Sequence, residues 1–169
     1  AIQDAVICAN NRIVNYLIQV TQALDNSDIH GHNLIFDAVA NGNMDIIRKV
    51  GSLEELNINQ VNKDGNTILH KEIVTQNNEL ALLLMELGAN PTIMDRNGKN
   101  FLFYAISEGI KNIDIIEKAL SLGCNINSRS NKNKTLLMES ITYFLETTKE
   151  NTEMRNDYLE MIIELIRLG

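Results

Sequence analysis

The feature that most constrains this chain is an internal repeat close to 33 residues long. Gly31, Gly65 and Gly98 are separated by 34 and 33 residues, and an Asp or Asn lies three residues before each of them. A weaker fourth copy has Asn133 in the position of the glycine. Regular spacing of this kind predicts a solenoid, in which each unit packs mainly against its neighbours.

The segments between these glycines have the apolar spacing of short helices. Four leucines of the second unit follow the i, i+3, i+4, i+7 pattern and so share one helical face: Leu80, Leu83, Leu84 and Leu87. A second marker, Leu-Gly-Ala-Asn at 87–90, recurs as Leu-Gly-Cys-Asn at 122–125. Each unit is therefore predicted to be a turn followed by two short helices, which become stable only when neighbouring pairs stack.

The second unit is the most informative, because it reads Asp64-Gly65-Asn66-Thr67-Ile68-Leu69-His70 and ends with Leu87-Gly88-Ala89-Asn90-Pro91. Together with the period, this pattern resembles the ankyrin repeat family. The resemblance implies an all-α, ankyrin-like solenoid of about four to five stacked helix-turn-helix repeats with short β-turn or hairpin tips. We expect a single domain over 1–169, with a partial repeat at 1–27 and further repeats at 28–61, 62–94, 95–129 and 130–169. Since the chain opens on Ala rather than Met, we expect a fragment of a longer protein.

Several segments depart from the ankyrin pattern. Only Thr67–His70 keeps the Thr-x-Leu-His corner, which in ankyrin-like repeats braces the turn by hydrogen bonds. The other three corners read Asn33–Phe36, Asn100–Phe103 and Thr135–Met138. The polar stretch from Lys149 to Asp157 predicts a solvated loop.

The methionines and cysteines are predicted to fill the core rather than to react. Met85, Met138 and Met161 lie on helical stripes. Cys8 and Cys124 fall at apolar or inter-repeat positions, and no histidine is placed to activate either thiol. Two isolated cysteines suit a reducing compartment, so we expect the protein in the cytoplasm (the host cytosol for an effector), with the nucleus as an alternative.

The composition limits the classes of partner that this chain is expected to bind. Fifteen Lys and Arg against 22 Asp and Glu give a net charge of −7, which argues against nucleic acid and against an anionic membrane surface. No apolar run is long enough to span a membrane. The sequence contains 23 Asn and 22 Ile, a bias that indicates an AT-rich genome, such as that of a poxvirus, an intracellular bacterium or a protist. We expect this bias to have no consequence for the fold.

No arrangement of residues points to catalysis or to a cofactor. His30 and His32 flank Gly31 and could clamp a metal, but no third ligand is near in sequence, which favours histidines of a surface turn. The glycines are too far apart to form a phosphate loop. We therefore predict no enzyme, no metal and no cofactor.

What remains is a binding surface. The resemblance implies that the turn tips and the exposed side of each first helix line a groove that binds another protein. The last three tips carry five cations against one carboxylate, a net charge of +4, which suggests a partner with an acidic face or an acidic peptide. The alternative is that the tips are charged only because they are solvated. The predicted partner-binding residues are His30, His32, Lys63, Asn66, Arg96, Asn97, Lys99, Lys132, Lys134, Val74, Glu108 and Tyr143.

Three hypotheses about the function follow from this surface. The first is a protein–protein interaction module, monomeric in isolation, with a host-targeting effector or host-range factor as its setting. The second is a substrate-recruiting domain of a larger enzyme whose catalytic domain lies outside this sequence. The third is a self-associating scaffold that uses its terminal faces, 2–13 or 162–168.

Overall fold

A computed structural model describes residues 2–8, 33–54, 56–70, 77–147 and 150–169. Its described part is helical, and an isolated bridge between Arg129 and Thr135 is the only β pairing in it. Residues 68–70 are also helical, and a 3-10 segment, Ile106–Asn112, joins the fifth and sixth helices. The predicted all-α solenoid is confirmed. The helices are α1 (Ile2–Ile7), α2 (Leu34–Asn41), α3 (Met44–Gly51), α4 (Asn78–Glu86), α5 (Phe101–Ala105), α6 (Ile113–Ser121), α7 (Leu136–Glu146) and α8 (Thr152–Leu168).

The buried apolar residues of the described ranges form one cluster along the stack. One hydrophobic cluster extends from Val6 in α1 to Leu165 in α8. The first helix of three units carries a small residue at the same position, Ala38, Ala105 and Ser140, and all three are fully buried. Small side chains there let neighbouring helices approach closely, so the shared core is dense even though each helix is short.

Three turns of the chain have the same backbone geometry. In 62–66, 95–99 and 130–134, the first amide N–H donates to the fifth carbonyl, and the fourth amide N–H donates to the first carbonyl. The fourth residue has a positive φ in each: Gly65 at 80°, Gly98 at 69° and Asn133 at 58°. Asparagine tolerates this left-handed region better than most residues. The prediction that Asn133 takes the position of the glycine is confirmed.

Asparagine does have a mechanical role, so the expectation that its abundance is irrelevant to the fold was wrong. Its short side chain accepts from the free amide N–H groups at the start of a helix. Such caps precede five of the described helices: Asn33, Asn43, Asn77, Asn100 and Asn151. The Asn bias thus stabilises helix ends in units too short to be stable alone.

The intact corner also links two units. The Thr67 amide donates to His70 Nδ1 at 3.2 Å, and His70 Nε2 donates to the carbonyl of Lys99, in the next turn, at 3.2 Å. The ring is therefore neutral, and its burial lowers the pKa of His70. The structural role predicted for His70 is confirmed.

Two of the altered corners form side-chain hydrogen bonds within their own unit instead. Asn33 Nδ2 donates to the carbonyl of Asn57 at 2.8 Å, and Asn100 Nδ2 donates to Ser128 Oγ at 3.4 Å. In both units the asparagine caps its own helix and bonds the segment that follows the second helix of the same unit, and Phe36 and Phe103 are buried in the core. The corners at Asn33 and Asn100 therefore brace their own units, whereas His70 also bonds the next unit.

The predicted loop at 149–157 was wrong from residue 152 onward, where α8 begins. Asn151 caps this helix, and Arg155 Nη1 donates to the carbonyl of Thr147 at 3.0 Å. Tyr158 Oη donates to the carbonyl of Ser107 at 2.6 Å, and Lys111 pairs with Asp157 at 3.2 Å. The last two of these contacts anchor α8 on the 3-10 segment, although most side chains of its first turns are exposed.

Two of the expected core residues lie at the surface instead. Cys8 is exposed, whereas Cys124 is buried as predicted, and burial raises the pKa of its thiol to about 11. Met85 and Met161 are buried as predicted, but Met138 is half-exposed because no described element covers its side of α7.

Candidate functional site

The three described turns lie side by side and form one surface, which we call the tip row (residues 62–66, 95–99 and 130–134). The Asn131 amide donates to the carbonyl of Asn97 at 2.8 Å, and Asn131 Nδ2 donates to the carbonyl of Arg96 at 2.9 Å. Gly65 lies so close to the next turn that a Cβ there would be 3.2 Å from the Arg96 amide nitrogen. Hydrogen bonds therefore hold the second and third tips together, and the first tip packs closely against the second.

The middle tip is organised around a buried carboxylate. Asp95 Oδ1 accepts from the amides of Asn97 at 2.8 Å and Lys99 at 2.9 Å, while Oδ2 accepts from Asn97 Nδ2 and from the Tyr104 hydroxyl. Burial alone would raise the pKa of Asp95, but these hydrogen bonds outweigh it and the pKa is lowered. Burial and the neighbouring carboxylate raise the pKa of Tyr104. Asp95 therefore stays ionised and Tyr104 keeps its proton.

Two of the predicted cations are engaged within the protein. Lys99 Nζ lies 2.7 Å from Glu139 Oε1, and Lys134 Nζ lies 3.4 Å from Glu139 Oε2. Burial would raise the pKa of Glu139, but the two ammonium groups lower it overall. Counting Asp95 and Glu139 with the row reduces its net charge from +4 to +2. The net charge of +4 that was counted from the sequence alone was therefore too high.

Three other cations keep their charge available to solvent. Lys63, Arg96 and Lys132 are exposed and form no ion pair with any residue in the described ranges. Between the second and third tips lies a cleft of about 350 Å³, with both lysine and amide groups at its edge. The residues that line it are Asn97, Lys99, Tyr104, Ser130, Asn131 and Lys132.

The other predicted site residues have different outcomes. His30, His32 and Val74 lie outside the described residues, and the side chain of Glu108 does as well. The Asn66 Oδ1 atom is shielded and accepts no hydrogen bond within the described part of the chain. Tyr143, half-buried, stacks on Tyr158 with ring centroids 5.8 Å apart, so one of its faces is already occupied.

Two side chains that were not predicted as site residues also shape the row. Tyr104 and Glu139 each lie four residues after the cap of a first helix, at Asn100 and Thr135. Both reach the tips from this position, since Tyr104 bonds Asp95 and Glu139 pairs with Lys99. The position that both residues share, four residues after the cap of a first helix, was the feature of the sequence that could have located them.

The described residues hold no group of three or more His, Cys, Asp or Glu that could bind a metal ion. None of the described helices combines the length and apolar character that crossing a membrane requires.

Comparison with known proteins agrees with this architecture. Residues 35–130 match the family model for ankyrin repeats, in three copies. A segment of 77 residues is 35% identical to the ankyrin repeat domain-containing protein OPG023 of monkeypox virus; it covers 43% of this chain and 12% of that protein's length. Ankyrin repeats are generally protein–protein interaction modules and are generally non-catalytic. Since the matched repeats span more than half of its length, the chain belongs to the ankyrin repeat family.

Proposed function

We propose that this chain binds an acidic face or an acidic peptide of another protein through the tip row, and that it transforms nothing. The observation that carries the proposal is the presence of three exposed cations, Lys63, Arg96 and Lys132, on adjacent tips. Hydrogen bonds join the second and third tips, and the first tip lies in close contact with the second. A preordered surface loses little conformational entropy on docking, so more of the attraction between these charges and the partner contributes to affinity.

The charge distribution favours an acidic partner over a neutral one. The chain as a whole carries −7, whereas the tip row carries +3, or +2 when the Glu139 that pairs with it is included. A positive row on an acidic body steers a negatively charged surface toward one edge of the molecule. The Lys99–Glu139 pair holds the middle of the row, and the cleft beside it has room for a side chain of the partner.

The setting we propose is a host-targeting effector or host-range factor in the host cytosol. Support comes from the similarity to a poxvirus ankyrin protein and from the Asn and Ile bias. The chain spans only a small part of that relative, so the activity of the longer protein is not carried over.

Charge reversal tests the proposed surface. The triple variant Lys63→Glu, Arg96→Glu, Lys132→Glu leaves the Glu139 ion pairs intact. Binding is measured by affinity capture from a host lysate, mass spectrometry and titration of the captured protein. We expect affinity to fall about 10- to 100-fold, since each lost pair contributes about 0.5–1 kcal/mol.

A matched control separates location from total charge. Arg48→Glu, Lys49→Glu and Lys118→Glu make the same charge change on the second helices, α3 and α6. We expect this variant to bind within about twofold of the original chain, because charges away from an interface contribute little at physiological salt. Equal loss in both triple variants, or no loss in the first, would refute the proposed surface.

A further inference from the structure

The third tip differs from the first two in its internal hydrogen bonds. Asn62 Oδ1 accepts from the amides two and four residues further on, and Asp95 Oδ1 does the same in the second tip. Ser130 occupies the equivalent position in the third tip, and its hydroxyl forms no hydrogen bond with any residue of the described ranges. The amides of Lys132 and Lys134 likewise have no acceptor in the part of the chain that the structure describes.

The backbone of the third tip brings these two amides together. It has the same two backbone hydrogen bonds as the other tips and the same left-handed fourth residue, here Asn133. In the first two tips the equivalent amides converge on a single oxygen atom, so those of Lys132 and Lys134 converge on one point as well. The side chain of Ser130 is one bond too short to place its oxygen there. Convergent backbone N–H groups of this kind form an anion-binding concavity.

We call the amides of Lys132 and Lys134, together with the hydroxyl of Ser130, the third-tip site. Ser130 and Lys132 line the cleft between the second and third tips. Ser130 is only 7% exposed, and a buried polar group without a partner costs free energy that a ligand would restore. The ammonium group of Lys132 is exposed and forms no ion pair within the described ranges. A negatively charged group in the cleft would therefore find three free donors and one free cation.

We propose that the third-tip site binds the carboxylate of an aspartate or glutamate side chain of the partner protein. This inference rests on the proposed function, because it names the group through which an acidic partner is recognised. The second tip provides the chemical precedent, since the carboxylate of Asp95 lies at the equivalent place and accepts from both amides. Hydrogen bonds from backbone amides to a carboxylate are roughly twice as strong as those between neutral groups. Glu139 does not fill the site, because it pairs with the side chains of Lys99 and Lys134.

Filling the site from within the chain tests this proposal. Ser130→Asn supplies the oxygen that Asn62 supplies in the first tip, and it leaves the net charge unchanged. We expect hydrogen–deuterium exchange of the Lys132 and Lys134 amides to slow at least about tenfold in this variant, because both become bonded. We also expect its affinity for an acetylated hexa-aspartate peptide to fall at least about tenfold, since the peptide carboxylate loses its donors.

Nuclear magnetic resonance follows both quantities in one sample. In the original chain, the peptide should move the amide protons of Lys132 and Lys134 downfield, as a new hydrogen bond to a carboxylate does. Ser121→Asn is the matched control, because it makes the same substitution at an exposed serine at the end of α6. This control should leave the exchange rates and the peptide affinity unchanged. Inorganic phosphate is the comparison anion, and phosphate that shifts the two amides where the peptide does not would overturn the assignment to a carboxylate.

The outcomes separate this inference from the proposed function. If Ser130→Asn binds the peptide as the original chain does, while the triple charge reversal at Lys63, Arg96 and Lys132 weakens binding, the third-tip site is wrong and the tip row stands. If neither variant weakens binding, both proposals fail. Amide protons that do not move when the peptide is added would overturn the inference alone. So would exchange of the two amides in the free original chain that is as slow as at 97 and 99, because they would then already be bonded.

Discussion

Replacing Phe103 with alanine is expected to lower the free energy of unfolding by about 3–5 kcal/mol. The ring is 1% exposed and sits where successive units meet, so its removal leaves a cavity that short, tightly stacked helices cannot close. Urea denaturation followed by far-UV circular dichroism measures the loss.

Met138→Ala is the matched control, because Met138 occupies the same position in the last unit but is half-exposed. We expect it to cost about 1 kcal/mol or less, since little apolar surface is buried there. Similar losses at the two positions would show that contact between units does not determine the stability of this chain.

Replacing Asp95 with alanine is expected to cost about 2–4 kcal/mol, since hydrogen bonds to a charged acceptor contribute more than neutral ones. The change leaves two backbone amides and the Tyr104 hydroxyl without their acceptor. Besides lower stability, we expect faster hydrogen–deuterium exchange of the Asn97 and Lys99 amides.

Asn62→Ala provides the comparison in the neighbouring tip. Asn62 Oδ1 also accepts from two backbone amides, those of Asp64 and Asn66, but as a neutral group. We expect a loss of about 1 kcal/mol, the typical contribution of a neutral hydrogen bond. If Asp95→Ala costs no more than Asn62→Ala, the carboxylate is not the organising group of the middle tip.

The local geometry of the tips was predictable from sequence. A turn that needs a positive φ selects glycine or asparagine, so the spacing of Gly65, Gly98 and Asn133 located all three turns. The helical stripes likewise located the buried faces, since a period of 3.6 residues leaves few alternatives.

Contacts between distant residues were not predictable in the same way. Lys99 and Glu139 are 40 residues apart, and nothing in either local sequence indicates their pairing. The net charge of the row was overestimated partly for this reason and partly because Asp95, inside the middle tip, was left out of the count. The stacking of Tyr143 on Tyr158 likewise depends on how α8 packs against α7.

The error at α8 has a different cause. Its first turns are polar and lack an apolar stripe, so the sequence resembles a loop. The helix is fixed there by Asn151 at its start and by bonds from Arg155 and Tyr158 to other segments. Met138 was wrongly predicted to be buried, because a helical stripe does not show which unit is the last one described.

Hydrogen–deuterium exchange of the chain, alone and saturated with its captured protein partner, tests the central claim most directly. We predict slower exchange in the partner-bound state at 62–66, 95–99 and 130–134, with α3, α4 and α6 unchanged. Protection confined to those second helices, with the tips exchanging as in the free chain, would contradict the account.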